Sequence, residues 1–118
     1  MERPLKWVPG SKAELLAMPE GVIDMIGYVL GEVQHHRSHP SIKTLTGLPG
    51  VHAIRVNDES GTYRAVYVVN LPSAVYVLHC FQKKSNTGIA TPQHVIALIR
   101  QRLKLAQEAD RDHRDRPL

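Results

Sequence analysis

The fold is decided by the stretch VHAIRVNDESGTYRAVYVVNLPSAVYVLHCFQK, which runs from residue 51 to residue 83. Three runs rich in Val, Ile and Tyr, over 51–56, 62–69 and 74–82, are separated by turns that are polar or contain Pro. β-branched and aromatic residues between such turns are typical of strands, and short connections join neighbouring strands antiparallel. The last run is apolar almost without interruption, which indicates a central strand that is buried on both faces. The stretch therefore predicts three antiparallel strands in sequence order.

Helical patterns precede this β region. Ser11 is predicted to be the N-cap of a short first helix, with Glu14 completing a capping box. Pro19 ends that helix and opens a second one, in which apolar residues recur at three- and four-residue spacing as far as about His36. A short strand over 6–8 comes before both helices.

A last helix follows the β region and completes the predicted fold. It opens at Thr91 and Pro92, and from Glu108 onward alternating charge without an apolar face predicts a frayed tail. The sequence predicts an α+β fold, a small antiparallel sheet with the N-terminal helices and a C-terminal helix packed together on one face. We expect a single domain over 1–107 and a charged tail over 108–118.

The charge of the chain is distributed unevenly. The 118 residues include 15 Lys and Arg against 11 Asp and Glu, a formal net charge of +4. Residues 37–104 hold nine basic and two acidic groups, a net of +7, whereas 1–36 and 105–118 are slightly acidic. A compact positive field favours a polyanionic partner, and nucleic acid is the first candidate. A solvated basic surface without a partner remains the alternative.

Several function classes lack the residues that they need. The sequence has no Gly-rich phosphate loop ending in Lys-Ser/Thr, no G-x-G-x-x-G after a strand, and no carboxylate pair outside a loop or tail. Its one cysteine, Cys80, lies in an apolar run and is expected to be a buried thiol, and no Cys/His spacing matches a zinc site. With neither a secretory signal nor an apolar run of membrane-spanning length, the chain is expected to be cytoplasmic.

Cations placed on the predicted strands are the remaining chemical feature. Arg55 and Arg64 interrupt two of the strands, Lys83 and Lys84 follow the third, and Lys43 lies just ahead of the sheet. Guanidinium and ammonium groups gathered at one part of a sheet can hold an RNA backbone and stabilise a pentacoordinate phosphate. The alternative is that each is an outward position of a half-solvated sheet.

Histidines offer two further possibilities. His79, in the central strand, is a candidate general base, with a hydrogen-bonded core histidine as the alternative. Three histidines at 35, 36 and 39 surround Arg37 and are interpreted as a solvated loop rather than a metal site.

The sequence resembles the phage-derived, HigB-like branch of the RelE/ParE toxin superfamily over about residues 5–107. The blocks that carry the resemblance are SKAELL at 11–16, PE at 19–20, IGYVL at 26–30, KTLTGL at 43–48, VHAIRV at 51–56, YRAVY at 63–67, VYVLHCFQKKS at 75–85, GIATP at 88–92 and IRQRL at 99–103. The resemblance implies a RelE-like fold and a toxin of a type II toxin–antitoxin pair. Toxins of this kind cleave mRNA, typically in the ribosomal A site, by attack of a 2′-hydroxyl on the adjacent phosphate, without a metal or other cofactor.

The resemblance also implies partners and site residues. The partners are mRNA, the ribosome and a cognate helix-turn-helix antitoxin, through which alone the complex would bind operator DNA. By position, the residues that match the family's phosphate-handling set are Arg64, Lys83 and Lys84. Lys43 and Arg55 match less specifically, and Arg100 and Arg102 of the last helix are added as RNA-binding candidates.

One departure from the RelE pattern leaves the acid–base group open. RelE places a tyrosine near the C-terminus, whereas nothing after Phe81 is aromatic here. Either His79, Tyr63 or Tyr67 substitutes for it, or catalysis rests on electrostatics alone, or this copy has little activity. Because ParE-like relatives act on DNA gyrase, a non-enzymatic gyrase poison or a basic RNA-binding module on the same fold is the alternative function.

Overall fold

The computed structural model describes residues 2–83 and 91–115, which form a sheet with helices before and after it. The elements in chain order are β1 (Leu5–Trp7), α1 (Ser11–Leu16), α2 (Glu20–Gln34), β2 (Ile42–Thr44), β3 (Val51–Asp58), β4 (Gly61–Val68), β5 (Val75–Lys83) and α3 (Gln93–Asp115). The three strands and the helices predicted from the sequence are all present. β2 was not predicted, because three residues carry no readable alternation.

The strands form one mostly antiparallel sheet in the order β1-β5-β4-β3-β2. β2 through β5 pair antiparallel with their neighbours, as the short connections predict. β1 instead pairs parallel with β5, with Leu5 opposite Val75 and Trp7 opposite Val77. The α+β class is confirmed, and β5 lies inside the sheet as its apolar run predicts.

The helices cover both faces of the sheet, so the prediction that they share one face is wrong. α1 and α2 pack with Ala65 and Tyr67 of β4, whereas α3 packs with Val66 and Val68 of the same strand. All four of these side chains are buried. A strand that is apolar on both sides needs a layer on each, which explains why the helices divide.

The last helix also continues farther than expected. α3 reaches Asp115, and Asp110 is fully buried where the sequence predicts fraying from Glu108. The Asp110 carboxylate accepts a hydrogen bond from the backbone N–H of Ser73 at 2.9 Å. This polar contact lies one turn beyond the buried Ala106 and extends the packed face of the helix, so fraying over 108–115 is not observed. Residues 116–118 of the expected tail lie outside the described residues, and the 1–107 boundary stays a prediction.

The start of α1 differs from the predicted capping box. The N-cap is Gly10, with φ 94°, and no side chain caps the helix. The Ser11 hydroxyl donates to the Val8 carbonyl instead, at 2.7 Å. The Glu14 carboxylate is therefore not needed at the helix end, and it turns toward β5.

Candidate functional site

Two arginines face each other on the α3 side of the sheet. Arg55 of β3 lies directly opposite Arg64 of β4 in the antiparallel register. Strand alternation puts them on the same face as Ala53 and Val66, which belong to the core beneath α3. Like charges directly opposite on a sheet destabilise it, so this pair costs the fold free energy.

Among the described residues, no protein group compensates the two charges. Within residues 2–83 and 91–115, neither Arg55 nor Arg64 has a side-chain hydrogen bond or an ion pair. The Nε of Arg64 is buried without a partner. Burial and, after it, the charge of Arg55 lower the pKa of Arg64. A pair of guanidiniums without an acidic partner among the described residues, with Arg64 half-buried and Arg55 exposed, is therefore suited to binding an anion.

Lys83 adds a third cation at the end of β5. It lies opposite Thr62, two residues from Arg64 on β4, so both cations are on the same face. The pKa of Lys83 is lowered by desolvation and then by the charges of Arg64 and Arg55. The structure therefore brings Arg55, Arg64 and Lys83 within one another's electrostatic influence, whereas Lys84 lies outside the described residues.

A cavity of about 400 Å³ opens beside Arg64. Arg100 of α3 shares its wall, so α3 both covers the sheet and adds a guanidinium to the site. Besides the apolar Leu45 and Ile96, the rest of the lining consists of polar side chains that can donate hydrogen bonds, namely Thr44, Thr46, Thr91 and Gln93. Lys43 is exposed on the same face one strand farther out, opposite Ala53. These groups make the cavity a polar, electropositive space of nucleotide size.

The other two candidates, His79 and Arg102, belong to a hydrogen-bonded cluster around Glu14. The Glu14 Oε1 accepts from Arg102 Nη1 at 2.8 Å, from the Cys80 backbone N–H at 3.1 Å, and lies 2.9 Å from His79 Nδ1. Arg102 also donates to the Leu78 carbonyl at 3.1 Å. Its side chain is only 15% exposed, so Arg102 is committed to the protein rather than presented to RNA.

The Glu14 cluster closes the open edge of β5. β1 pairs only with residues 75–77 of β5, and a bulge at Leu78 interrupts the pairing of β5 with β4. Beyond that point α1 and α3 satisfy the backbone, through Glu14 on the Cys80 N–H and Arg102 on the Leu78 carbonyl. Because Lys83 ends the same strand, the cluster helps to position the cationic site.

The electrostatics of Glu14 fit this structural role. Burial alone would raise the pKa of its carboxyl, but the hydrogen bonds from Arg102, Cys80 and His79 outweigh burial and lower that pKa. The ring of His79 stacks on Phe81 at 4.9 Å between centroids, and Phe81 lies opposite Arg64. His79 thus lies on the same face of the sheet as the arginine pair, but Phe81 lies between His79 and that pair.

The tyrosines considered as acid–base groups lie on the other face. Tyr63 and Tyr67 pack in the core beneath α1 and α2, and the Tyr63 hydroxyl bonds Ser60 Oγ. The sheet separates both side chains from the arginine pair. In the part of the chain that the structure describes, no group of three or more His, Cys, Asp or Glu is arranged to hold a metal. No described helix is both long and apolar enough to cross a membrane.

The described fold is that of the RelE-like toxins. It matches a mutant of the E. coli toxin RelE in the free state with a TM-score of 0.60 and 21% identity, covering 87% of this chain and 99% of RelE. It also matches the RelBE2 toxin–antitoxin complex from Mycobacterium tuberculosis with a TM-score of 0.50 and 17% identity, over 70% of this chain and 100% of that chain. These similarities confirm the RelE-like fold.

The family follows from the sequence. Residues 13–104 match the family described as phage derived protein Gp49-like (DUF891). The chain therefore belongs to the phage-derived Gp49-like family, and its fold is similar to that of RelE toxins. No curated protein matches the chain.

Proposed function

We propose that the protein is the toxin of a type II toxin–antitoxin pair and an mRNA endonuclease that works without a metal. The observation that carries the proposal is the uncompensated Arg55–Arg64 pair, with Lys83 on the same face. Two opposed guanidiniums that cost stability and contact no carboxylate are readily explained by a ligand that supplies negative charge. The fold of RelE toxins and the positive charge of residues 37–104 support a nucleic-acid phosphate as that ligand.

In the proposed reaction, the 2′-oxygen of one nucleotide attacks the adjacent phosphorus and the bond from phosphorus to the 5′-oxygen breaks. The products are a 2′,3′-cyclic phosphate and a free 5′-hydroxyl, and the proton lost by the 2′-hydroxyl is balanced by the one that the leaving oxygen gains. Arg64, Arg55 and Lys83 stabilise the added charge of the pentacoordinate phosphate. Such groups act most strongly in a partly desolvated site. Arg64 is partly buried, whereas Arg55 and Arg100 are exposed.

The partners in this proposal are mRNA on the ribosome and a cognate antitoxin in the cytoplasm. RelBE2 of M. tuberculosis is a toxin–antitoxin complex on a similar fold, which supports an antitoxin partner for this chain. The resemblance further implies that the antitoxin is a helix-turn-helix protein that carries the complex to operator DNA. Lys43 and Arg100 are the additional groups that we propose to contact RNA, with Lys84 as a further candidate from the sequence.

The decisive experiment compares Arg64→Gln with Lys12→Gln, a charge-matched change at an exposed position of α1. Cleavage of translated mRNA is measured by primer extension in a reconstituted translation reaction. We expect Arg64→Gln to lose roughly 10²–10³-fold in cleavage, as when one transition-state charge stabiliser is removed, and Lys12→Gln to retain full cleavage. Because Arg55 opposes Arg64, the inactive variant should unfold at the same or a higher denaturant concentration than the wild type.

The same assay tests the proton-transfer group and the alternative function. His79→Asn should cost clearly less cleavage than Arg64→Gln if electrostatics dominate, whereas an equal loss would assign proton transfer to His79. Inhibition of gyrase supercoiling with intact mRNA would replace the endonuclease by a gyrase poison. RNA binding that falls steeply with salt, without cleavage, would leave a binding module.

A further inference from the structure

A second cationic depression lies on the opposite face of the sheet, where α2 ends. This depression, the α2 groove, has a volume of about 610 Å³. Its floor is apolar and includes Val33, Tyr67 and Val69. Its rim carries His36, Arg37 and His52, of which the first two are exposed. The groove is thus separate from the arginine pair, which lies beneath α3.

None of the described residues that line the α2 groove carries a carboxylate. Arg37 has one acidic partner, Glu32, at 3.4 Å, and its side chain is 61% exposed, so most of its charge faces solvent. The Tyr67 phenol on the floor is neutral at neutral pH, and burial raises its pKa further, to about 12. The groove therefore combines an apolar floor with a rim that attracts anions.

The backbone of the rim is held in an unfavourable conformation. His36 has φ 62°, in the left-handed region that favours glycine. Its N–H bonds the Val33 carbonyl at 3.0 Å, and the Arg37 N–H bonds the Glu32 carbonyl at 2.8 Å, the pattern that commonly ends a helix at glycine. A histidine at this position costs stability relative to glycine and places an imidazole ring, which can donate a hydrogen bond, on the rim.

We propose that the α2 groove binds an acidic segment of a partner protein, with an apolar side chain on the floor and a carboxylate at Arg37 and His36. Charge complementarity and the apolar floor carry this choice. Single-stranded nucleic acid fits less well, because it binds by stacking bases on exposed aromatic faces. Tyr67, which has the largest ring of the floor, is only 2% exposed.

The test uses a defined probe on the full chain labelled with ¹⁵N. A blocked hexapeptide of alternating Glu and Leu is titrated, alongside its Lys and Leu counterpart and a six-nucleotide oligouridylate. We expect the acidic peptide alone to shift the amide signals of residues 33–38 and 69–71. Arg37→Gln should weaken its binding by about fivefold or more, the effect of losing roughly 1 kcal/mol of charge-assisted hydrogen bonding. Lys104→Gln, at an exposed position of α3, should leave it unchanged.

His36→Gly separates binding from stability. Glycine relieves the left-handed backbone, so this variant should melt at the same or a higher temperature while binding the acidic peptide more weakly. No shift at millimolar peptide, equal shifts with the basic peptide, or shifts of the same amides by oligouridylate would each overturn the proposal. So would unchanged binding by both Arg37→Gln and His36→Gly. The endonuclease assay is independent of all these outcomes, because the groove contains none of the residues assigned to cleavage.

Discussion

Glu14 should contribute more to stability than any exposed carboxylate of the protein. One of its oxygens accepts hydrogen bonds from Arg102 and Cys80 and lies within hydrogen-bonding distance of His79. Glu14→Gln keeps the shape but removes the negative charge, so the bond from the Cys80 N–H changes from a charge-assisted one worth about 1.5–3 kcal/mol to a neutral one worth about 0.5–1.5 kcal/mol. It also leaves the half-buried Arg102 without an anion. We expect a total loss of about 2–3 kcal/mol, which for a domain of this size lowers the melting temperature by roughly 8–12 °C.

The matched control is Glu32→Gln on α2. Glu32 pairs with Arg37 at 3.4 Å, and the Arg37 side chain is largely exposed, so this substitution should cost less than about 0.5 kcal/mol. Guanidinium unfolding monitored by circular dichroism at pH 7 measures both free energies. Arg102→Met in a double-mutant cycle then isolates the coupling between Glu14 and Arg102.

The contribution of Glu14 to the free energy of unfolding should decrease as the pH is lowered. The carboxyl pKa is lower in the folded protein than its ordinary value of 4.5, so the charged form stabilises the fold above about pH 4.5. That stabilisation is lost as the pH falls through the folded pKa. The difference between wild type and Glu14→Gln should therefore be complete at neutral pH and shrink in acid. A difference that stays constant into acid, or one no larger than that of Glu32→Gln, would refute the role assigned to Glu14.

Three other positions give sharp predictions. Burial raises the pKa of the Cys80 thiol to about 12, so a disulfide reagent at neutral pH should label it only as fast as the protein unfolds, and rapid native labelling would contradict this. Asp110→Ala removes the acceptor for the Ser73 N–H and should cost about 1–3 kcal/mol in urea unfolding, whereas no loss would mean that the end of α3 does not stabilise the fold. Gly50→Ala places a Cβ at φ 79° and should cost about 1–2 kcal/mol, with a neutral result arguing against that backbone conformation.

The strands could be predicted because their signals are local. Each run within 51–83 carries its own β-branched residues and turns, and their order in the sheet follows from short connections. β1 was predicted as a short strand over 6–8, but its parallel pairing with β5 was not, and β2 was not predicted at all, because its three residues gain their conformation from a partner strand. The single-face arrangement failed for a different reason. Strands that are apolar on both sides, such as β4 and β5, need a helical layer on each face of the sheet, and a one-face arrangement leaves one of the two faces uncovered.

The candidate site, like the fold, was predictable where the signal is local in sequence and unpredictable where it depends on long-range contacts. The sequence placed Arg55 and Arg64 on two neighbouring strands, where they can gather at one part of the sheet, and the structure shows that they are directly opposed. Glu14 was interpreted as part of a helix cap, because its partners lie 65 to 88 residues away and no sequence spacing connects them. The same long-range contact explains why Arg102, one helical position among several cations, cannot be told from Arg100 by sequence alone.

The sheet itself separates the two proposed binding surfaces. Arg64 and Tyr67 lie three residues apart on β4 but on opposite faces, one at the cationic pair and the other in the α2 groove. A polypeptide confined to the groove cannot displace RNA by contact, so any effect on cleavage has to pass through β3 and β4. Close-packed interiors transmit strain, but coupling between separate sites also needs an element with two discrete arrangements. If the acidic peptide binds and RNA cleavage is unchanged at saturating peptide, the groove only attaches the partner to the protein. If the turnover of RNA cleavage falls while the affinity for RNA is unaltered, β4 must shift when the peptide binds.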